Sequence, residues 1–506
     1  MKKINILFFL LLFAIGLQAQ EGRYVEEVFS DVNVQTNVTY GVNATVLAFT
    51  QVGEAIPQEL LMDVYQPEGD TETERPVVLV FHTGNFLPFP ENLGTGGTKE
   101  DSTVVEVCNR LAKMGYVAAS VDYRLGWNPI APTQDERVFT LINAAYRGVQ
   151  DARTAIRFFK KTVAEEGNPY AVDTTRVTLW GIGTGGYVSL NTLGLDAYEK
   201  VLLPKFTTQD PAGNPIPMVI EQINGDIEGK TVGQATGDFP PGFPAGDTLC
   251  YPNHVEYGSE FQLAVNMGGA LGDSSWIDPG QPPVISYQVP TDPFAPYNCG
   301  VLTVPGVGLA VVEVCGASVV QAQQEAFGNN DAWEAADFVD PITQLADSRN
   351  DGRNGLLPLP TDDVTDSSPW DFYAEDNVNA EEPPNPERAR MYMDTIMAYF
   401  APRACVTLGL ECDLTNVSSI ENVLSANDVQ LQMMPNPAYD RVTLQSGVDH
   451  PIQDVQVFDM SGRLVKSDLN VQNNFITLHR DGLANGVYIV KLRFEEGVVT
   501  QKLIFN

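Results

Sequence analysis

The run Val177-Thr178-Leu179-Trp180 leads without a break into Gly181-Ile182-Gly183-Thr184-Gly185-Gly186. A short apolar run of this kind is a buried strand. Glycines crowded directly behind it mark a turn so tight that side chains would obstruct it. Upstream, Leu60 to Tyr65 and Pro76 to His82 read as strands. Val104, Val107, Cys108 and Leu111 then recur at helical spacing, and Val117 to Asp122 returns to strand. Ala145, Val149, Ala152, Ile156 and Phe159 mark a second amphipathic helix. Strand, helix, strand, helix, strand in this order predicts a parallel sheet covered on both faces.

The chain has 506 residues, too many for one core, since single domains usually hold ~100–250. Residues 196–260, rich in Pro, Gly and Asp, interrupt the alternation as a long insertion above the sheet. The order resumes with Gln262 to Met267 and Pro283 to Tyr287. It closes on a helix whose apolar face is Ala389, Met393, Ile396 or Met397, and Phe400. The polar stretch from Asp413 to about Asp428 is the natural linker. The last residues are short alternating strands: in Gly486 to Phe494, Tyr488, Val490, Leu492 and Phe494 form one apolar face, with Lys491 and Arg493 opposite. A small β-sandwich is expected there.

Acidic residues number 65 against 30 basic, a net charge of −35. Nucleic-acid binding needs a basic footprint to displace counterions, so it is excluded, and attraction to an anionic membrane fails for the same reason. The opening MKKINILFFLLLFAIGLQAQ has a positive start at Lys2 and Lys3, an apolar core from Ile4 to Gly16, and a small-residue cleavage site at Leu17-Gln18-Ala19. The apolar core is too short for a comfortable membrane span, and no comparable run follows. A signal peptide over 1–19 and an exported mature protein are expected. Six cysteines in an exported chain favour disulfides, with Cys405/Cys412 and Cys299/Cys315 the cheapest local pairs. With no CxxC and no His-Cys cluster, neither a metal nor a cofactor is expected.

The tail resembles the C-terminal sorting domain of the bacterial type IX secretion system. The resemblance rests on Pro435-Asn436-Pro437, on Val457-Phe458-Asp459-Met460-Ser461-Gly462-Arg463-Leu464-Val465, and on Asn485-Gly486-Val487-Tyr488-Ile489-Val490 before Lys502-Leu503-Ile504. It covers residues 430–506. The resemblance implies the type IX secretion machinery as partner, with passage through the periplasm and the outer membrane to the cell surface or beyond.

The larger part, about residues 55–405, resembles the esterase and carboxylesterase branch of the α/β-hydrolase fold. Four segments carry this in order. Leu61-Met62-Asp63-Val64-Tyr65-Gln66-Pro67 matches the opening strand. His82-Thr83-Gly84-Asn85-Phe86 stands where such enzymes have an HGGGF-like oxyanion loop. Gly115 to Leu125 matches the next strand and its exit, and Val177 to Gly186 occupies the nucleophile elbow, normally G-x-S-x-G-G. The elbow lifts one side chain above the sheet, and the following N–H, here that of Thr184, joins the oxyanion hole.

At the position that should carry the serine stands Gly183, which has no oxygen to attack a carbonyl. Thr291-Asp292-Pro293-Phe294-Ala295-Pro296-Tyr297 resembles the loop of the triad acid, making Asp292 the acid candidate. Its role in such a triad is to orient a histidine. The fold places that histidine after the acid. Of His82, His254, His450 and His479, none lies between Asp292 and the linker. Thr83 and Asn85 also replace glycines of the loop. Loss of hydrolase chemistry is expected, because an activated nucleophile needs an adjacent base.

Three other readings are weaker. Gly181-x-Gly183-x-x-Gly186 fits a dinucleotide fingerprint, but it follows several strands and no suitably placed acid answers it. Thr184 as a shifted nucleophile has no base and sits in the first helical turn. Asp347 to Gly355 has the flavour of a calcium loop, yet Arg349 occupies a ligand position, so a solvated loop is expected. Trp276 and Trp370 either line the pocket or pack.

The expected architecture is thus an α/β-hydrolase-like, doubly wound, mostly parallel sheet over residues 20–412, a linker over 413–429 and an all-β sandwich over 430–506. The expected role is binding of a small ester, an acylated glycan or a peptide. The alternative is an active esterase drawing on His254 and Ser259 in the insertion.

Overall fold

Eight strands make the large sheet, and their connectivity follows from where the apolar runs fall. The computed structural model describes residues 22–92, 94, 96–210, 212–361, 366–372, 385–412, 414, 424–459, 464–468, 471–494 and 497–506. The expected signal peptide over 1–19 and most of the expected linker over 413–429 lie outside these residues. The strands are β1 (Val32–Thr45), β2 (Ile56–Pro67), β3 (Arg75–Phe81), β4 (Val117–Val121), β5 (Val172–Ile182), β6 (Leu263–Met267), β7 (Val284–Gln288) and β8 (Leu356–Pro358). They are ordered β1-β2-β4-β3-β5-β6-β7-β8. The pairs β1–β2 and β2–β4 are antiparallel, and the rest of the sheet is parallel.

Every residue of β3, β4, β6 and β7 is buried. This is the mark of a parallel sheet packed on both faces, and it is why these strands are mostly apolar, with Arg75, Ser120, Asn266, Ser286 and Gln288 as buried polar exceptions. Helix α1 (Ser102–Met114) turns Val104, Val107, Cys108 and Leu111 inward and stops at Gly115, in the left-handed region at φ 105°. Helix α2 (Gln134–Glu165) opens with a capping box between Thr133 and Glu136. It is 32 residues long, well beyond the periodicity from Ala145 to Phe159. Helix α3 (Thr184–Gly194) follows β5 after a single residue. Helix α4 (Pro386–Leu408) buries Ala389, Met393, Ile396, Met397 and Phe400, as its spacing predicts.

One strand lies outside the expected set, and one expectation needs correction. The strand β1 is absent from the expected set although Val32, Val34, Val38, Tyr40, Val42 and Ala44 alternate along it; its first half is exposed, and register shifts interrupt its pairing with β2. The stretch from Asp347 is not wholly a loop: a helix spans Pro341–Asn350, capped by the Asp340 carboxylate, and the turn begins only at Asp351. An N-cap and a proline in the first turn start that helix regardless of the polar residues that follow.

Residues 196–260 form short turns and two-stranded ladders pinned onto α2. Asn143 Nδ2 donates to the Met218 carbonyl, and Gln150 Nε2 donates to the carbonyls of Asn224 and Asp226. A hairpin, Cys299–Thr303 with Ala310–Cys315, is closed by the Cys299–Cys315 disulfide, and Cys405–Cys412 closes the end of α4. Both local pairs are the expected ones. Cys108 and Cys250 are buried and free.

Near the start of the chain Asp70 holds Arg23 at 2.6 Å and Arg75 at 2.7 Å. Burial pushes the Asp70 carboxyl up, but hydrogen bonds from both guanidinium groups outweigh it and bring it down to about 2 from 3.8. A depressed carboxylate contributes stability above its unfolded value and loses it as pH falls through the folded one. Asp70→Asn should therefore narrow the difference from wild type between about pH 4 and pH 2, read as converging acid-unfolding curves.

The chain divides into two compact units, Met1–Thr415 and Asn416–Asn506. In the second, a three-stranded antiparallel sheet (Gln432–Met434, Arg441–Gln445, Phe475–His479) and a four-stranded one (Asp454–Asp459, Leu464–Asp468, Gly486–Arg493, Val498–Phe505) share one core. Val442, Leu444 and Leu478 meet Val455, Val490 and Leu492 there. Tyr488, Val490, Leu492 and Phe494 are all buried, as their alternation requires. Among the described residues no helix is long and apolar enough to cross a membrane.

Candidate functional site

The turn between β5 and α3 is the structural centre of the larger unit. Gly183, the one residue between them, has φ 54° and ψ −115°. Side chains rarely adopt this conformation, and it costs other residues about 1–3 kcal/mol. Its N–H donates to the Met267 carbonyl at 2.7 Å, fixing the turn against β6. The neighbouring glycines are there for contact: a Cβ on Gly185 would lie 2.1 Å from the Phe81 carbonyl oxygen, and one on Gly186 would lie 2.4 Å from Asn266 Oδ1. The backbone of an elbow is intact. Its apex has no side chain.

The loop after β3 fills that apex from the other side. A Cβ on Gly183 would meet Thr83 Oγ1 at 2.3 Å and Thr83 Cβ at 2.9 Å. The Asn85 N–H, in the loop expected to form an oxyanion hole, donates to Thr184 Oγ1 at 2.7 Å. Thr184 is buried and ties the loop to α3. Its hydroxyl acts as an acceptor within the protein rather than projecting above the sheet.

His82 is placed beneath the loop. Its Nδ1 donates to the Thr83 carbonyl at 2.5 Å, its Nε2 stands 3.6 Å from Asp122, and its ring stacks on Tyr123 at 4.5 Å. Burial pushes the Asp122 carboxyl up, opposed by the His82 charge and by the Lys99 N–H. The imidazole thus sets the course of the loop from below.

Asp292 follows β7, and its Oδ1 accepts the N–H groups of Phe294 and Ala295 at 2.7 and 3.0 Å. The residues after β8 approach the same place. A Cβ on Gly268 would be 3.3 Å from Trp370 Cζ2 and 3.8 Å from Asp292 Oδ2, so indole and carboxylate converge on Gly268. Trp370 is fully buried.

Thr83, Gly84, Asn85, Gly183, Thr184 and Asp292 all border one cavity of about 1050 Å³. His82 does not. Among the described residues no Lys, Arg or His lines it. Sequence reasoning missed Glu91, Ser367, Ser368 and Asp371, as well as the apolar side chains that the disulfide-closed hairpin supplies. The signal available for Ser367 to Asp371 was their place just after the last short strand, Leu356–Pro358. Of the two tryptophans left open, Trp276 lines the cavity and Trp370 packs beside it.

The alternative pair lies elsewhere. His254 Nε2 donates to the Tyr40 carbonyl at 2.9 Å, and burial lowers the pKa of the ring. Ser259 Oγ donates to Glu228 at 2.5 Å. Neither residue lines the cavity. No group of three or more metal-ligating side chains occurs among the described residues.

Comparison with known proteins gives two family matches. Residues 62–209 match the BD-FAE family, and residues 432–506 match the Secretion system C-terminal sorting domain. No curated protein matches the chain. Among solved structures it is similar to a bifunctional GH43-CE protein of Bacteroides eggerthii, at 12% identity over 73% of this chain and 35% of that one, TM-score 0.35. It is also similar to Thermogutta terrifontis esterase 2, at 15% identity over 76% of this chain and 98% of that one, TM-score 0.35. A truncated carbohydrate esterase from gut microbiota matches at 14% identity over 61% and 87%, TM-score 0.31. The chain spans about a third of the length of the Bacteroides protein. The sorting domain indicates engagement with the type IX secretion machinery and export to the outer-membrane surface or beyond. The chain therefore joins an esterase-like α/β-hydrolase domain of the BD-FAE type to a type IX secretion sorting domain.

Proposed function

We propose that the exported hydrolase-fold domain is a binding protein that has lost ester hydrolysis. The observation that carries this is the elbow: Gly183 offers no nucleophile, and Thr83 Oγ1 occupies the space its Cβ would need. Support comes from the cavity wall, where no imidazole stands among the described residues, and from the Asn85 N–H, already engaged by Thr184. An acyl transfer step needs a nucleophile, a base beside it and donors for the oxyanion. Asp292 alone supplies none of these.

The test is hydrolysis of short-chain nitrophenyl esters by the mature protein, alongside labelling with a fluorophosphonate probe. Turnover indistinguishable from buffer and no adduct are expected. Gly183→Ser should stay inactive, and so should Gly183→Ser combined with Thr83→Gly, because the base is still missing. Covalent labelling with turnover that His254→Ala abolishes would overturn the proposal in favour of an active esterase.

A further inference from the structure

The cavity wall carries two kinds of chemistry. The elbow loop, Ser367, Ser368, Asp371, Asp292 and Glu91 supply polar and acidic lining. The Thr103 hydroxyl on α1 donates to Asp371, so that carboxylate is held in place. Leu141, Leu195, Val201, Phe206, Trp276 and Val312 line the same cavity and belong to the main hydrophobic core. Phe206 and Trp276 stand with ring centres 5.5 Å apart. The apolar wall also continues outward. Ile130 and Val307 line the cavity while remaining 78% and 59% exposed, so hydrocarbon reaches solvent at the mouth.

Charge decides what can enter. Three acidic residues, Glu91, Asp292 and Asp371, line the cavity and no cationic residue does, among the described residues. Residues 362–365 and 373–384, outside the described set, contain no Lys, Arg or His in their sequence either. A carboxylate or phosphate head would meet like charge there. A cation would be stabilised by the same groups. The volume, about 1050 Å³, stands at the upper end of ligand pockets, which run ~300–1,000 Å³. It is larger than a short acyl group needs.

We infer that the cavity binds a cation-headed amphiphile, its alkyl chain in the arm walled by Leu195, Val201, Phe206 and Trp276 and its ammonium facing Asp292 and Asp371. This rests on reading the site as one that binds without hydrolysis. The apolar arm contributes affinity per methylene, and the carboxylates select the head.

The experiment compares decyltrimethylammonium, decanol and decanoate below their micelle concentrations, on the full mature chain. It uses calorimetry together with the fluorescence of Trp127 and Trp276, which line the cavity. The ammonium should bind at least tenfold more tightly than decanoate and clearly more tightly than decanol. Its affinity should rise roughly two- to fourfold per added methylene from hexyl to decyl and weaken with salt. Asp371→Asn and Asp292→Asn should each lower ammonium affinity several-fold and leave decanol unchanged. Val307→Asp, at an exposed position that tolerates a charge, should weaken decanol binding. Equal binding of decanoate, or affinity independent of chain length, would overturn the inference. None of the probes carries an ester. Ammonium binding beside nitrophenyl-ester turnover would therefore sink the non-hydrolytic reading alone, and absent binding without turnover would sink this inference alone.

Discussion

Asp151→Ala is expected to destabilise the larger unit by about 3–5 kcal/mol, the cost of removing one partner from a buried ion pair. Arg124 and Asp151 are both fully buried, with side-chain exposures of 0%. The Asp151 carboxylate accepts the Arg124 backbone N–H at 2.8 Å and the guanidinium Nε at 2.9 Å. The same guanidinium donates to Gln150 Oε1 at 2.9 Å and reaches the Leu249 carbonyl at 3.4 Å. One cation thus ties the exit of β4, the middle of α2 and the insertion together. Without Asp151 it keeps its burial and loses its counter-charge. Replacing both residues with apolar ones, Arg124→Met with Asp151→Leu, should cost less than Asp151→Ala alone, because no charge is then left stranded. All five tryptophans, at 127, 180, 276, 333 and 370, lie in this unit. Urea unfolding followed by tryptophan fluorescence therefore reports on it directly. A wild-type midpoint for Asp151→Ala would show that the pair does not hold these elements together.

Gly185→Ala should destabilise by about 3 kcal/mol or more, although helix propensity alone predicts the opposite sign. Gly185 lies inside α3, where alanine would ordinarily gain about 1 kcal/mol over glycine. The new methyl would stand 2.1 Å from the Phe81 carbonyl oxygen and 2.9 Å from that of His82. Both belong to the main chain at the end of β3, in the middle of the sheet, where neither can retreat without moving the strand. Overpacking of a rigid site costs ~1–3 kcal/mol and occasionally more. Gly53→Ala provides the contrast: φ is 80° there and nothing lies within 4 Å, so only backbone strain of about 1–2 kcal/mol is expected. The same urea titration separates them. A Gly185→Ala protein as stable as wild type would mean that the elbow does not press on β3.

The order of strands and helices was legible because burial on both faces leaves a direct trace. Val77 to Phe81 are apolar throughout and Val117 to Val121 apolar but for Ser120, as expected when helices cover both sides of a sheet. The same holds for the alternation of Tyr488, Val490, Leu492 and Phe494. Local pairing of Cys299 with Cys315 and Cys405 with Cys412 was legible for a related reason, since short separations leave little choice. The strand β1 was overlooked although Val32, Val34, Val38, Tyr40, Val42 and Ala44 alternate along it: its first residues face solvent, so the alternation coincides with burial only at Val38, Tyr40 and Ala44. The start of the helix Pro341–Asn350 was hidden by polar residues that the Asp340 cap makes irrelevant.

By itself, the sequence determined that the elbow apex is a glycine and that no histidine follows Asp292 before the linker. Composition at a position needs no coordinates. Only the tertiary structure decided what stands in the vacated space, because Thr83 and Gly183 are a hundred residues apart and meet through the pairing of β3 with β5. It also decided the character of the cavity. Asp292, Asp371 and the apolar wall of Val201, Phe206 and Trp276 come from separate segments, and no local pattern records that they face one space. Periodicity reports burial along one element. The chemistry of an enclosed volume arises from which elements the fold brings together around it.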